Sequence, residues 1–185
     1  MSLTVNVLNV SHSPWKNGGG FTQELLTWPK GEPWQFRLSL ASIEASGPFS
    51  SFKGVQRVFT IVEGQLALTF DEVAYTLNHK DEPLSFDGAT PCHAHLISPK
   101  VKALNVMTRS PCATKVVRLQ TGQHLPCKDS QYLALFAFDN STIDIGQPHV
   151  CLNLISNSLT WLKNTSIHEL KIQSGKIIVC KVFTT

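Results

Sequence analysis

Between two strand-like runs lies Pro14-Trp15-Lys16-Asn17-Gly18-Gly19-Gly20-Phe21-Thr22-Gln23-Glu24, which sets a cation and an amide directly before three glycines. Glycine has no Cβ, so the backbone there can take positive φ and bring its N–H groups close to a ligand or to another segment. Lys16 supplies charge and Asn17 both a donor and an acceptor, a pairing suited to a small anionic or amide-containing molecule. A tight Gly-rich turn with a solvated Lys is the competing reading of the same residues. Further cations and amides stand near aromatic segments: Arg37, Arg57 and Asn105, with Trp15, Phe49, Phe52 and Phe86. An Arg with a Lys is a usual means of holding a carboxylate, because the guanidinium offers two parallel donors and charge-assisted hydrogen bonds are the stronger ones. Aromatic walls would exclude water from such a site. Each Arg alone is an ordinary surface cation unless the fold gathers the set.

Other chemistries find less support. His93-Ala94-His95 puts two imidazoles on one face of a strand, a geometry that binds zinc, iron or nickel when a third ligand converges. No His, Asp, Glu or Cys follows within the next ten residues, and His12, His79, His124, His149 and His168 are isolated, so no metal and no cofactor is expected. There is no G-x-S-x-G elbow, and no cysteine stands in a helix-start or cationic setting that would activate it. Gly18-Gly19-Gly20 lacks the spacing and the strand-to-helix context of a P-loop. No catalytic residue is assigned.

The totals set the frame. With 185 residues, the chain suits one large domain or two small similar halves. Hydrophobic residues at 42% against charged residues at 16% indicate a globular protein rather than a disordered one. The net charge of +3 is scattered, with no basic cluster to neutralise phosphates, so nucleic acid is not an expected partner. The N-terminal residues lack a basic stretch followed by an apolar run, and nothing approaches a membrane span of roughly 18 apolar residues. The expectation is a cytoplasmic, soluble protein without membrane partners, whose five separated cysteines are reduced and buried.

Period-two runs carry most of the chain. Leu3, Val5 and Val7 alternate with polar neighbours, Phe21 to Trp28 can extend, and Trp34, Phe36, Leu38 and Leu40 oppose Gln35, Arg37, Ser39 and Ala41. Gly47-Pro48 breaks the pattern before an aromatic loop, Phe49 to Gly54; Arg57 to Val62 and Gln65 to Phe70 then form a hairpin about Glu63-Gly64. Strands over Val73–Leu77, Cys92–Ser98 and Ala103–Thr108 follow, and a second series runs over Lys115–Leu119, Tyr132–Phe138, Val150–Ile155, Ile167–Ile172 and Lys176–Phe183. The fold class is all-β, a sandwich or barrel repeated once, divided at Ser110-Pro111-Cys112 into residues 1–110 and 111–185. Paired sheets with open edges make a homodimer an expectation.

The residues that carry chemistry also carry a resemblance. Pro14-Trp15-Lys16-Asn17-Gly18-Gly19-Gly20-x-Thr22-x-Glu24, Phe36-Arg37-x-Ser39-x-Ala41, Gly47-Pro48-Phe49-Ser50-x-Phe52-x-Gly54-x-x-Arg57, Glu63-Gly64, Phe86-Asp87-Gly88 and Asn105-x-Met107-Thr108-Arg109 follow in the order found in the HutD/Ves family of cupin-like proteins, which the chain resembles over residues 14–109. The resemblance implies a double-stranded β-helix (cupin) barrel with a second, degenerate barrel, a bicupin. It also implies that the metal site of other cupins is replaced: seven residues before Gly64, where their ligating Glu would stand, is Arg57, and Ser51, Phe52 and Lys53 occupy the positions ahead of it. Lys53 and Ser98-Pro99-Lys100 depart from the family's usual residues.

Two functional expectations follow. In the first, Lys16, Arg37 and Arg57 hold the carboxylate of a small anionic metabolite, Asn17 and Asn105 read an amide or formyl group, and Phe49 and Phe52 wall the site. The HutD resemblance implies a formyl- or formimino-glutamate-like ligand and a regulatory or accessory role in histidine utilisation; the Ves resemblance implies a stress response. The alternative is a metal-independent isomerase or hydrolase acting on a similar acid with Lys16 or a nearby His as base.

Overall fold

The computed structural model describes residues 2–146 and 150–184; His149, noted above as an isolated imidazole, lies outside the described residues. Strand β1 (Ser2–Asn6) opens the chain, followed by a short 3-10 turn over Val7–Asn9. Then come β2 (Ser13–Pro14), β3 (Gly20–Trp28), β4 (Phe36–Ile43), β5 (Gly47–Pro48), β6 (Gln56–Glu63) and β7 (Gln65–Phe70). The series continues with β8 (Val73–Asn78), β9 (Leu84–Asp87), β10 (Cys92–Leu96) and β11 (Val101–Thr108). The remainder forms β12 (Ala113–Gln120), β13 (His124–Pro126), β14 (Tyr132–Ala137), β15 (Ser141–Asp144), β16 (Cys151–Leu154), β17 (Ser158–Lys163), β18 (Glu169–Ser174) and β19 (Lys176–Phe183). No α-helix occurs among the described residues, and none of their helices is long and apolar enough to cross a membrane.

The chain forms two compact units, Val10–Pro111 and Met1–Asn9 with Cys112–Thr185. In the first, a six-stranded sheet ordered β2-β3-β4-β11-β6-β9 accompanies a four-stranded sheet ordered β5-β10-β7-β8. Its core combines Ile43, Phe59 and Ile61 with Leu66, Leu68, Leu77, Cys92, Ala94, Val101 and Ala103. The second unit pairs a five-stranded sheet, β1-β17-β14-β19-β12, with a four-stranded one, β13-β18-β15-β16, about Leu133, Leu135, Ile143, Leu170, Ile172, Ile177 and Val179. All pairings are antiparallel, as hairpin-rich sheets of short strands require.

The strands explain where the sequence-based boundary shifts. Residues 1–9 were expected with the first half, yet β1 runs antiparallel to β17, Leu3 opposite Trp161 and Val5 opposite Leu159. Alternation identifies Leu3 to Val7 as extended but says nothing of its partner. That partner is a strand that sequence reading missed, because Leu159, Trp161 and Leu162 break strict period two. Strand β15 was missed as well, its first residue having been read as part of the turn Asp139-Asn140-Ser141.

The six-stranded sheet positions the candidate site. Along one face of β4, β11 and β6, Ile43, Val101, Ala103 and Ile61 belong to the core, while Arg37, Ser39, Asn105, Met107 and Arg57 occupy the same face further along. The opposite face, with Phe36, Leu38, Leu104 and Val106, is buried too. Arg37 and Ser39 therefore sit on an inward-facing side of a sheet whose two faces are both removed from water.

Candidate functional site

A cavity of about 570 Å³ opens over the polar end of that face, and Lys16, Asn17, Arg37, Phe49, Phe52, Arg57 and Asn105 all line it. Trp15, Thr22, Ser39, Ser50 and Phe59 complete much of the wall, and among the described residues the lining holds no Asp, Glu or His. Positive charge is thus concentrated where water is partly excluded.

Arg57 is the innermost cation. It is 5% exposed, and burial lowers its pKa to about 10, which leaves the guanidinium charged at neutral pH. Its Nε donates to Asn105 Oδ1 at 3.3 Å and its Nη1 to the Ser50 carbonyl at 3.4 Å, both long bonds to neutral acceptors. Three rings face it, Phe86 at 5.0 Å, Phe49 at 5.5 Å and Phe52 at 5.6 Å from the guanidinium carbon. Cation–π attraction of this kind offsets part of the desolvation cost. No carboxylate pairs with Arg57 among the described residues.

The aromatic loop is held in place by backbone bonds. Phe49 N–H donates to the Cys92 carbonyl at 2.9 Å and Phe52 N–H to the Gly88 carbonyl at 2.7 Å. Gly88 N–H donates in turn to the Val55 carbonyl at 2.7 Å, and a Cβ on Gly88 would stand 2.8 Å from the Phe52 and Val55 carbonyl oxygens. Phe86-Asp87-Gly88 therefore matters as a close backbone approach that seats Phe49 and Phe52 over Arg57.

Arg37 is partly neutralised. Its Nε lies 2.9 Å from Glu24 Oε2, although the N–H does not aim squarely at that oxygen. Between Glu24 and Leu26 the register of β3 against β4 shifts, so that Glu24 stands opposite Ser39 while Thr27 stands opposite Arg37. A bulge at this position brings the carboxylate diagonally onto the guanidinium. Sequence reading quoted Glu24 within its motif but gave it no role; an acid two strand positions from an Arg on the next strand was the available signal.

The glycine segment turns out to be a built loop. Gly18 N–H donates to the Trp15 carbonyl at 3.0 Å, Gly19 N–H to Asn17 Oδ1 at 3.0 Å, and Trp15 N–H to the Gly20 carbonyl at 2.9 Å. The amide donors expected to face a ligand at Gly18 and Gly19 are consumed inside the turn. Asn17 keeps its Nδ2 donor for the cavity, while its oxygen already accepts from the Gly19 N–H. What the loop presents is Lys16, exposed at the cavity mouth with no carboxylate partner among the described residues, and Trp15, whose Nε1 donates to Thr22 Oγ1 at 2.7 Å.

His93 and His95 lie elsewhere. Their rings are 4.4 Å apart on β10, on the side opposite the core residues Cys92 and Ala94, and neither lines the cavity. Among the described residues no three His, Cys, Asp or Glu side chains converge on a metal position.

The paired-sheet, all-β architecture is cupin-like. A model of the HutD family matches residues 8–180, and the chain belongs to that family. An uncharacterised 21.2 kDa protein in the hutC 3′ region of Pseudomonas putida is 54% identical over 54 residues, 28% of each chain. Protein Ves of Citrobacter koseri is 37% identical over 106 residues, 55% of this chain and 56% of the other. The chain thus spans little more than half the length of these curated relatives, and in the first case about a quarter. HutD from Pseudomonas fluorescens SBW25, solved in a formate condition, superposes with a TM-score of 0.86 at 22% identity, covering 100% of both chains. An oxalate decarboxylase variant from Bacillus subtilis gives 0.64 at 8% identity, covering 98% of this chain and 76% of that one. At these identities the likeness is one of fold.

Proposed function

We propose that the cavity of the Val10–Pro111 unit binds a small carboxylate, with Arg57 holding the carboxylate, Arg37 flanking it and Lys16 drawing anions to the mouth. The observation that carries this reading is Arg57, a nearly buried cation without a counter-carboxylate among the described residues, facing a cavity walled by aromatic rings. Uncompensated buried charge is costly, and an arriving anion removes the cost. In this reading Asn105 and the Nδ2 of Asn17 donate to an amide or formyl oxygen, as a formyl- or formimino-glutamate-like acid requires. The position of one relative in a hutC 3′ region supports a regulatory or accessory role in histidine utilisation over the stress-response variant.

Binding is favoured over catalysis because, among the described residues, the lining holds no carboxylate or imidazole to move a proton, leaving Lys16 as the base on which the isomerase or hydrolase alternative depends. The reading includes two cupin-like modules, the second degenerate, in a cytoplasmic protein that acts as a homodimer. Calorimetry with formate and with formylated and formiminated glutamates is the test. Micromolar to millimolar binding that Arg57→Ala abolishes is expected; absence of binding, or equal binding by the variant, refutes the proposal.

A further inference from the structure

The backbone nitrogen that follows an asparagine can attack that residue's own side-chain amide, and glycine, having no Cβ, leaves the approach unobstructed. Asn17 is the chain's single asparagine followed by glycine; the other eight precede Val, His, Ser, Leu or Thr. It also lines the cavity, beside Lys16.

The turn prepares the electrophile. Asn17 Oδ1 accepts from the Gly19 N–H at 3.0 Å, which closes a ring containing the Gly18 nitrogen and keeps Cγ on the side of the chain where that nitrogen lies. When the nitrogen attacks, negative charge develops on Oδ1, and the Gly19 N–H already faces it as a one-donor oxyanion hole. The nucleophile is held back by one contact, Gly18 N–H donating to the Trp15 carbonyl at 3.0 Å. Asn17 and Gly18 are both exposed, and single backbone bonds in exposed turns open readily. Gly18 sits at φ +70° with nothing beyond its chain neighbours within 4 Å of a Cβ position, so no packing resists a reorientation of its peptide.

Asp87-Gly88 shares the bonding pattern, Ala89 N–H donating to Asp87 Oδ1 at 2.8 Å, but not the freedom. Gly88 is buried, its N–H donates to the Val55 carbonyl at 2.7 Å, and a carboxylate is a poorer acyl donor than an amide. The chemistry therefore belongs to Asn17.

We propose that Asn17-Gly18 is a deamidation site whose product is a weakened form of the carboxylate site, the second half resting on the function proposed above. Hydroxide removes the Gly18 amide proton, the Gly18 nitrogen bonds to Asn17 Cγ, and the Cγ–Nδ2 bond breaks with release of ammonia, leaving a cyclic imide. Water then opens the imide. Hydrolysis at Cγ gives aspartate; hydrolysis at the main-chain carbonyl of Asn17 gives the isoaspartyl linkage, in which the chain runs through the former side chain.

Either product sets a carboxylate on the cavity lining and removes the Nδ2 donor. The aspartyl form can still accept from the Gly19 N–H, so the turn persists and the change is one of charge. The isoaspartyl form adds a methylene to the main chain within the loop that the Trp15 N–H closes on the Gly20 carbonyl at 2.9 Å, and so displaces Lys16 as well. A cationic site thereby acquires an anion of its own. Because ammonia is lost, the amide is not restored, and the converted fraction records the age of the molecule.

Peptide mapping of the full chain aged at pH 8 tests the first half. Asn17 is expected to convert to aspartyl and isoaspartyl forms faster than any of the other eight asparagines, and faster still as pH rises. Asn17→Gln, which would have to close a larger ring, should stay intact. An unconverted Asn17, or one converting no faster than Asn140 or Asn157, each of which precedes serine, overturns the proposal. Calorimetry with formate tests the second half. Asn17→Asp should weaken binding roughly three- to tenfold at low salt and less at high salt, and aged wild-type protein should lose affinity in proportion to the fraction converted. Equal binding by Asn17→Asp and the unmodified chain overturns the effect on the site and leaves the proposed function standing. If neither binds formate while Asn17 converts, the proposed function falls and the effect on binding with it, whereas the modification is confirmed.

Discussion

Arg57 and Asn105 stand diagonally across β6 and β11, Arg57 Nε donating to Asn105 Oδ1 at 3.3 Å, and the pair is a cation with a neutral amide where a buried cation would ordinarily meet an acid. An amide orients the guanidinium without neutralising it. The charge stays available, at a cost to the unliganded fold.

That cost predicts effects of opposite sign in Arg57→Met. The variant keeps the aliphatic stem among Phe49, Phe52 and Phe86 and removes a desolvated charge whose two hydrogen bonds are long. Urea denaturation of the unliganded protein should show a gain of about 1 kcal/mol. Carboxylate affinity measured by calorimetry should fall tenfold or more, about 1.4 kcal/mol. Lost stability with unchanged affinity would make Arg57 a packing residue.

Glu24→Gln frees Arg37. The Glu24 carboxylate is half exposed, so the ion pair is worth only about 0.2–1 kcal/mol, and stability should change by no more than that. The cavity gains net positive charge, and formate binding should tighten two- to fivefold. Weaker binding in the variant would show that Glu24 orients Arg37 rather than competing for it.

The three glycines differ in what they tolerate. A Cβ on Gly20 collides with the Ser42 backbone carbonyl, so Gly20→Ala should cost on the order of 1–3 kcal/mol. Gly18 sits at φ +70° in open space, and Gly18→Ala should cost about 1 kcal/mol through backbone strain alone. Chemical denaturation of both variants checks the order.

Thiol chemistry gives a pH-dependent outcome. Burial raises the pKa of Cys92, Cys112 and Cys127 to about 11 and of Cys180 to about 12, while Cys151 is exposed. A thiol-reactive dye at pH 8 should label one site rapidly, and Cys151→Ser should remove it. An acid whose pKa rises on folding binds more protons when native than when unfolded, between the two values. The stabilisation is complete below about pH 8.5 and lost as pH rises through 11, so Tm should fall between pH 8 and pH 10.

The all-β class was legible in alternation at Leu3–Val7 and Trp34–Ala41, and the seven proposed ligand residues do line one cavity. Family wording contributed most of that selection; charge and aromatic content supplied the chemistry. Two things were hidden for physical reasons. Alternation at Phe36–Leu40 singled out the large apolar face, whereas the cavity lies over the Arg37 and Ser39 face, since both faces are buried and period two cannot say which one encloses space. The glycine amides looked free because nothing in a sequence reveals that Asn17 Oδ1 and the Trp15 carbonyl turn back to meet them.

Strands β4, β11 and β6 carry hydrophobic core at one end and cationic cavity at the other, on a single face. A carboxylate lodged between Arg57 and Arg37 would therefore complete a packing layer that the polypeptide leaves unfinished, working as a detachable side chain. For such a molecule, melting temperature would itself be a concentration gauge, because the unfolding free energy would rise by RT ln(1 + [L]/Kd) as the carboxylate accumulates. The signal of occupancy would be how firmly three strands are tied.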